Sequence, residues 1–120
     1  MEEKRIYVVV AGTIQTPRTV IQPPGRQFAQ GCHVVSKLRI ENHNGSHRFE
    51  PITTIILQAR DSAELTHVQL LALKKKLQVA AFFDTNPEYG DVEHKTAIAF
   101  LATPGQANMV CDYLPLWGAK

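Results

Sequence analysis

Arg26, Gln30, His33 and Lys37 are separated by four, three and four residues. At about 100° per residue a helix gathers all four onto one stripe roughly 60° wide. A fixed cation, an amide, an imidazole and a second cation, with no carboxylate among them, suit a phosphate or an oxygen on which negative charge develops. The same spacing is also that of a solvated helix face. On the other side of this helix Phe28, Gly31, Cys32 and Val35 make an apolar face, the side expected to pack. Cys32 and His33 are neighbours, but adjacent helical residues point about 100° apart, which argues against a thiol–imidazole pair. His43 and His47 stand four apart in a turn-forming stretch. Outside a helix that spacing does not converge two imidazoles, no third ligand is near, and no metal site is expected.

The elements that must position these groups follow from pattern. RIYVVVAG, from Arg5 to Gly12, is apolar at nearly every position and β-branched, as an interior strand covered on both faces is. The proline-bearing stretch TIQTPRTVIQPP is expected to be a loop of extended and turn conformations, and Pro24 suits the first turn of the helix carrying the stripe, which should run to about Leu38 or Ile40. Residues 41–51 are polar and centred on Asn44-Gly45, a surface connection. Ile52 to Ala59 reads as a second strand. Asp61 to Leu77 reads as a second helix, capped by Asp61 with Glu64 completing a capping box, and with Lys74, Lys75 and Lys76 in a last turn where positive charge complements the helix dipole. Val79 to Phe83 is a short apolar run that stops at Asp84, and Thr96 to Leu101 is a fourth strand. Thr103, Pro104 and Gln106 then open a last helix. The order β-α-β-α-β-β-α indicates an α/β layered domain with a mostly parallel sheet, whose ligands gather near strand carboxyl ends. Asp84 stands at such an end.

Composition sets the bounds. The 120 residues suffice for one domain with one core, and 44% hydrophobic with 20% charged residues excludes disorder of the whole chain. A net charge of +2 is too weak to signal nucleic-acid binding, though it allows a local basic patch. The two cysteines, Cys32 and Cys111, with no secretory leader pattern, lead to the expectation of a reducing, cytoplasmic setting and two buried free thiols. No run reaches the ~20 apolar residues that cross a bilayer, so no membrane association is expected.

Taken in order, these motifs resemble the peptidyl-tRNA hydrolase type 2 family. Its members carry a VLVVR-like strand and then a helix opening Gly-Lys-x-x-x-Gln-x-x-His; the residues matched here are Gly25, Arg26, Gln30 and His33. The family also has a strand ending in Asp and, twelve residues on, a Thr that opens the last strand, the separation of Asp84 and Thr96. The resemblance covers most of the chain. It departs at Arg26, where the family has lysine, in the longer proline-rich loop without its usual acidic residue, and at Glu88, where the family's Asp-x-x-x-Thr pattern has a hydroxyl.

The resemblance implies a three-layer α/β/α sandwich over residues 1–120 with a four-stranded mixed sheet in the order 2-1-4-3. It implies hydrolysis of the ester bond of peptidyl-tRNA in the cytoplasm without metal or cofactor. In that reading Asp84 orients or deprotonates water, Arg26 and Gln30 hold the oxyanion or a terminal phosphate, and Thr96 and His33 position the partners. Lys37 and Lys95 would touch the tRNA, and a homodimer is a further expectation. The alternative is an inactive relative that binds RNA or a protein; Glu88, a second negative charge near Asp84, favours it.

Overall fold

The run RIYVVVA forms strand β1 (Arg5–Ala11), buried at six of its seven positions. A computed structural model describes residues 3–16, 18–41 and 52–118. In it β1 is an interior strand of a four-stranded sheet with β4 (Thr54–Ala59), β5 (Gln78–Asp84) and β6 (His94–Ala102), in the spatial order β4-β1-β6-β5. This is the order that the family resemblance implies. The β1–β4 pair is parallel, whereas β1–β6 and β5–β6 are antiparallel. The expectation of a mostly parallel sheet is therefore corrected. Helix α1 (Pro24–Glu41) provides the crossover that a parallel pair requires, but only residues 85–93 separate β5 from β6, and so short a connection returns the chain antiparallel.

Three layers follow from alternation along β1. Ile6, Val8 and Val10 face α1, where Val34 and Leu38 cover them together with Ala97 and Ala99. Tyr7 and Val9 face the other way, onto α2 (Ser62–Lys74) and α3 (Pro104–Cys111), through Leu65, Val68, Ala72 and Val110. Tyr7 stacks on Phe100 across the strands, centroids 5.5 Å apart.

The proline-rich stretch is not simply a loop. Thr13–Gln15 (β2) and Thr19–Ile21 (β3) pair as a small antiparallel hairpin, and Pro23 and Pro24 lie beyond it, where no ladder N–H is needed. Asp61 caps α2 by accepting from the Glu64 N–H (3.0 Å), but the Glu64 carboxylate answers to the Arg60 N–H (2.9 Å) rather than to Asp61, so the box is not reciprocal. The same helix stops at Lys74, short of the expected Leu77. Lys76 takes a left-handed φ of 61° and the Leu77 N–H reaches back to the Ala72 carbonyl (3.1 Å), a C-terminal cap. At α3 the full capping box forms between Thr103 and Gln106.

The outer edge of β4 is sealed by residues 114–118. The Gln58 N–H donates to the Pro115 carbonyl (3.0 Å) and the Trp117 N–H to the Ile56 carbonyl (2.9 Å), which removes part of an open sheet edge. None of the described helices is long and apolar enough to cross a membrane.

Candidate functional site

Helix α1 buries Gln27, Gln30, Gly31, Val34 and Leu38, a stripe turned about one residue from the expected Phe28–Gly31–Cys32–Val35 face. Gly31 accounts for the close approach. A Cβ there would already meet Val10 and Val8 at 3.5 and 3.6 Å, so the helix axis sits near the sheet and its flanking side chains reach down on either side. Phe28 and Cys32 are consequently exposed, and only Cys111 is a buried thiol. That corrects the expectation of two buried cysteines.

Toward β5, Gln30 donates from Nε2 to Asp84 Oδ2 (2.7 Å). The other oxygen, Oδ1, accepts from the Thr85 N–H (3.0 Å). The carboxylate is thus oriented from two sides, each oxygen keeping a lone pair for a further donor. Four residues on, in a 3₁₀ turn over Pro87–Tyr89, Glu88 Oε1 accepts from Arg26 Nη2 (3.0 Å). Arg26 precedes Gln30 by one helical turn as Glu88 follows Asp84 by four residues, so the two contacts form successive rungs between α1 and the chain leaving β5. The turn itself is held. Asn86 Oδ1 accepts from the Glu88 N–H (2.9 Å), and buried Tyr89 donates its hydroxyl to Gln22 Oε1 (2.6 Å).

The charges on these rungs are unequal. The hydrogen bond that Arg26 donates to Glu88 raises the Arg26 pKa above its ordinary value, against the opposing pull of burial. With that pair neutralised, Asp84 supplies the net negative charge. Two polar atoms of the rungs, Arg26 Nη1 and Gln30 Oε1, are buried with no hydrogen-bond partner among the described residues.

The remaining predicted residues divide. His33 stacks on Phe82, centroids 4.9 Å apart, and Lys37 donates to the Ala81 carbonyl (2.7 Å), so both lie along β5 on the side of Asp84. Thr96 is buried, its hydroxyl 3.5 Å from the Phe82 carbonyl, a contact at the limit of a hydrogen bond. It is the extra residue of a β-bulge, since Phe82 pairs with Ala97 and Phe83 with Lys95. A bulge re-aims the side chains beyond it. Lys95 accordingly turns to α2, donating to Thr66 Oγ1 (2.9 Å) and to Gln69, with its ammonium 5.7 Å from the Phe83 centroid. Burial there lowers its pKa. Lys95 therefore lies across the sheet from Arg26 and Asp84 and does not join them.

Toward β4 the helix presents different chemistry. Gln27 donates to the Gln22 carbonyl (2.7 Å) and accepts from Gln58 Nε2 (2.8 Å) and Trp117 Nε1 (3.0 Å). Beside it Phe28, Cys32, Val35, Ile56 and Trp117 line an apolar cavity of about 310 Å³. Sequence reasoning missed both Gln27 and the Arg26–Glu88 contact. The matched four-residue spacings were a signal for the latter; nothing local marks the former.

Among the described residues no three His, Cys, Asp or Glu side chains gather as a metal would need, and His43 and His47 lie outside those residues. The arrangement can orient a water or hydroxyl against Asp84 and offer guanidinium donors beside it. No protein-family model matches the chain, and no curated protein matches it in sequence. Among solved structures it is similar to a protein of unknown function from Agrobacterium tumefaciens strain C58, with a TM-score of 0.62 over 97% of this chain and 98% of that one at 8% identity. At that identity the likeness is one of fold.

Proposed function

We propose that the protein hydrolyses the ester bond of peptidyl-tRNA, in the cytoplasm, with Asp84 as the base. The observation that carries this reading is the 2.7 Å hydrogen bond from Gln30, which fixes a strand-end carboxylate one helical turn from a guanidinium. Asp84 takes a proton from water as the oxygen attacks the ester carbonyl, the Arg26 side faces the developing oxyanion, and the departing ribose oxygen recovers the proton from Asp84. Gln30 positions the base; His33 and Lys37 flank the path along β5.

A second reading rests on the Arg26–Glu88 ion pair. Glu88 already sits where a phosphate or oxyanion would meet Arg26, which favours a module that binds RNA or a protein without hydrolysis. Single-turnover assays on peptidyl-tRNA separate the two. Hydrolysis by the wild type, reduced on the order of 10²-fold or more in Asp84→Asn, is the expected result. Freeing Arg26 with Glu88→Thr should raise the rate. A folded wild type that binds tRNA without cleaving it, beside a Glu88→Thr variant that does cleave, would defeat the enzyme reading.

A further inference from the structure

We infer that the apolar cavity between α1 and β4 is a binding site for a neutral small molecule, an aromatic ring carrying one alcohol end. The site is independent of the proposed hydrolysis, since it lies on the β4 flank of the helix and Asp84 on the β5 flank. Protein interiors hold few voids larger than a water molecule. This cavity measures about 310 Å³, about twice the ~150 Å³ that accepts benzene, so it suits roughly ten to twelve non-hydrogen atoms. Its walls are fixed independently of any occupant. Trp117 is held twice, by its backbone N–H on the Ile56 carbonyl (2.9 Å) and its indole N–H on Gln27 Oε1 (3.0 Å). Gln27, the buried polar residue of the lining, is matched at both ends of its amide by Gln22 and Gln58, so it braces the wall and asks nothing of a ligand. Phe28 stands 6.2 Å from the Trp117 ring yet is 56% exposed, apolar surface that an occupant would cover.

The lining also selects by charge and by end. It contains no Asp, Glu, Lys, Arg or His. A carboxylate, phosphate or ammonium would lose hydration there without a counter-charge in return. The aromatic rings mark one end, beside Gln27; Ser36 lies nine residues further along α1, about 13 Å away. Thr54, which opens β4, lines the cavity with it. The Thr54 hydroxyl donates to the Ile52 carbonyl (3.1 Å), which leaves its oxygen to accept. A ligand with its ring toward Phe28 and Trp117 and its hydroxyl donating to Thr54 matches both ends.

The probe is 4-phenylbutan-1-ol, and the reporter is Trp117, the single tryptophan of the chain. Titrated into the full chain, the alcohol should shift Trp117 emission to the blue with half-saturation below about 1 mM, the strength expected of so small a buried ligand. Over the same range it should slow alkylation of Cys32, which lines the cavity, by N-ethylmaleimide. 4-Phenylbutanoate cannot donate to Thr54 and should bind about tenfold or more weakly at pH 7. Cys32→Phe, at an exposed position, fills the space and should abolish the shift; Ser36→Phe, also exposed, gives the same readout if the first variant folds poorly. No saturable shift in folded wild type, equal binding of alcohol and carboxylate, or a shift that survives both substitutions would each overturn the inference. So would a Cys32 that resists alkylation until urea unfolds the free chain, because the cavity would then be covered by the chain itself or by a second copy.

Discussion

Gln27 and Gln30 are three residues apart on one helix, of one type and equally buried, yet they sit on flanks with opposite characters. Gln27 has three neutral partners drawn from the hairpin end, β4 and the C-terminal segment. Among the described residues Gln30 has one partner, a carboxylate, and a buried oxygen without one. Composition does not distinguish the two; completeness does. A polar network in which every donor and acceptor is matched holds elements together, while one with an unmatched buried atom gains less from its burial.

The largest test of that contrast is stability. Gln27→Leu strands the Gln22 carbonyl, the Gln58 amide and the Trp117 indole N–H together, and should cost about 3 kcal/mol in a urea titration. Gln30→Leu leaves Asp84 with the Thr85 N–H and access to solvent, and should cost about 1 kcal/mol. Equal losses in the two variants would erase the distinction between the flanks.

The next effect is chemical. Cys32, exposed on the apolar flank, should react with a thiol reagent in the native state, whereas Cys111 should react only on unfolding. Burial, aided by the Asp112 charge, pushes the Cys111 thiol from 9.0 up to about 11. The unfolded chain therefore loses this proton first. The contribution is full below pH 9, declines as pH rises, and is lost through about 11. Urea midpoints measured across that window should fall less steeply in Cys111→Ala than in the wild type; identical slopes would refute the assignment.

Smallest is the outer rung. Glu88 is half exposed, so Glu88→Gln should change stability by no more than about 0.5 kcal/mol by thermal melting, even if it alters what Arg26 binds. A larger loss would make the ion pair part of the architecture.

Local signals in the sequence carried much of the fold. The unbroken apolar run of β1, the Thr103–Gln106 cap and the end of β5 at Asp84 depend on near neighbours, and they lie where pattern puts them. The packing face of α1 did not follow from pattern, because glutamine reads as polar and its burial depends on partners 31, 54 and 90 residues away. Phe28 and Cys32 read as core types, yet they border a cavity. The strand of Lys95 was legible but its orientation was not, since one extra residue at Thr96 reverses the parity of everything before it in β6.

The segment that seals β4 also bears on the order in which the protein can be completed during synthesis. Residues 115–117 follow all the described strands and helices, yet they supply the partners for the Ile56 carbonyl and the Gln58 N–H and, through Trp117, one of the bonds to Gln27. A nascent chain that has already made β1, α1 and β4 must hold an unsealed edge until these residues emerge. Over that interval it is exposed to strand-to-strand association with other copies. Premature termination just before Pro115 would make that transient state permanent, and a chain that keeps all four strands of the sheet would lose its resistance to aggregation.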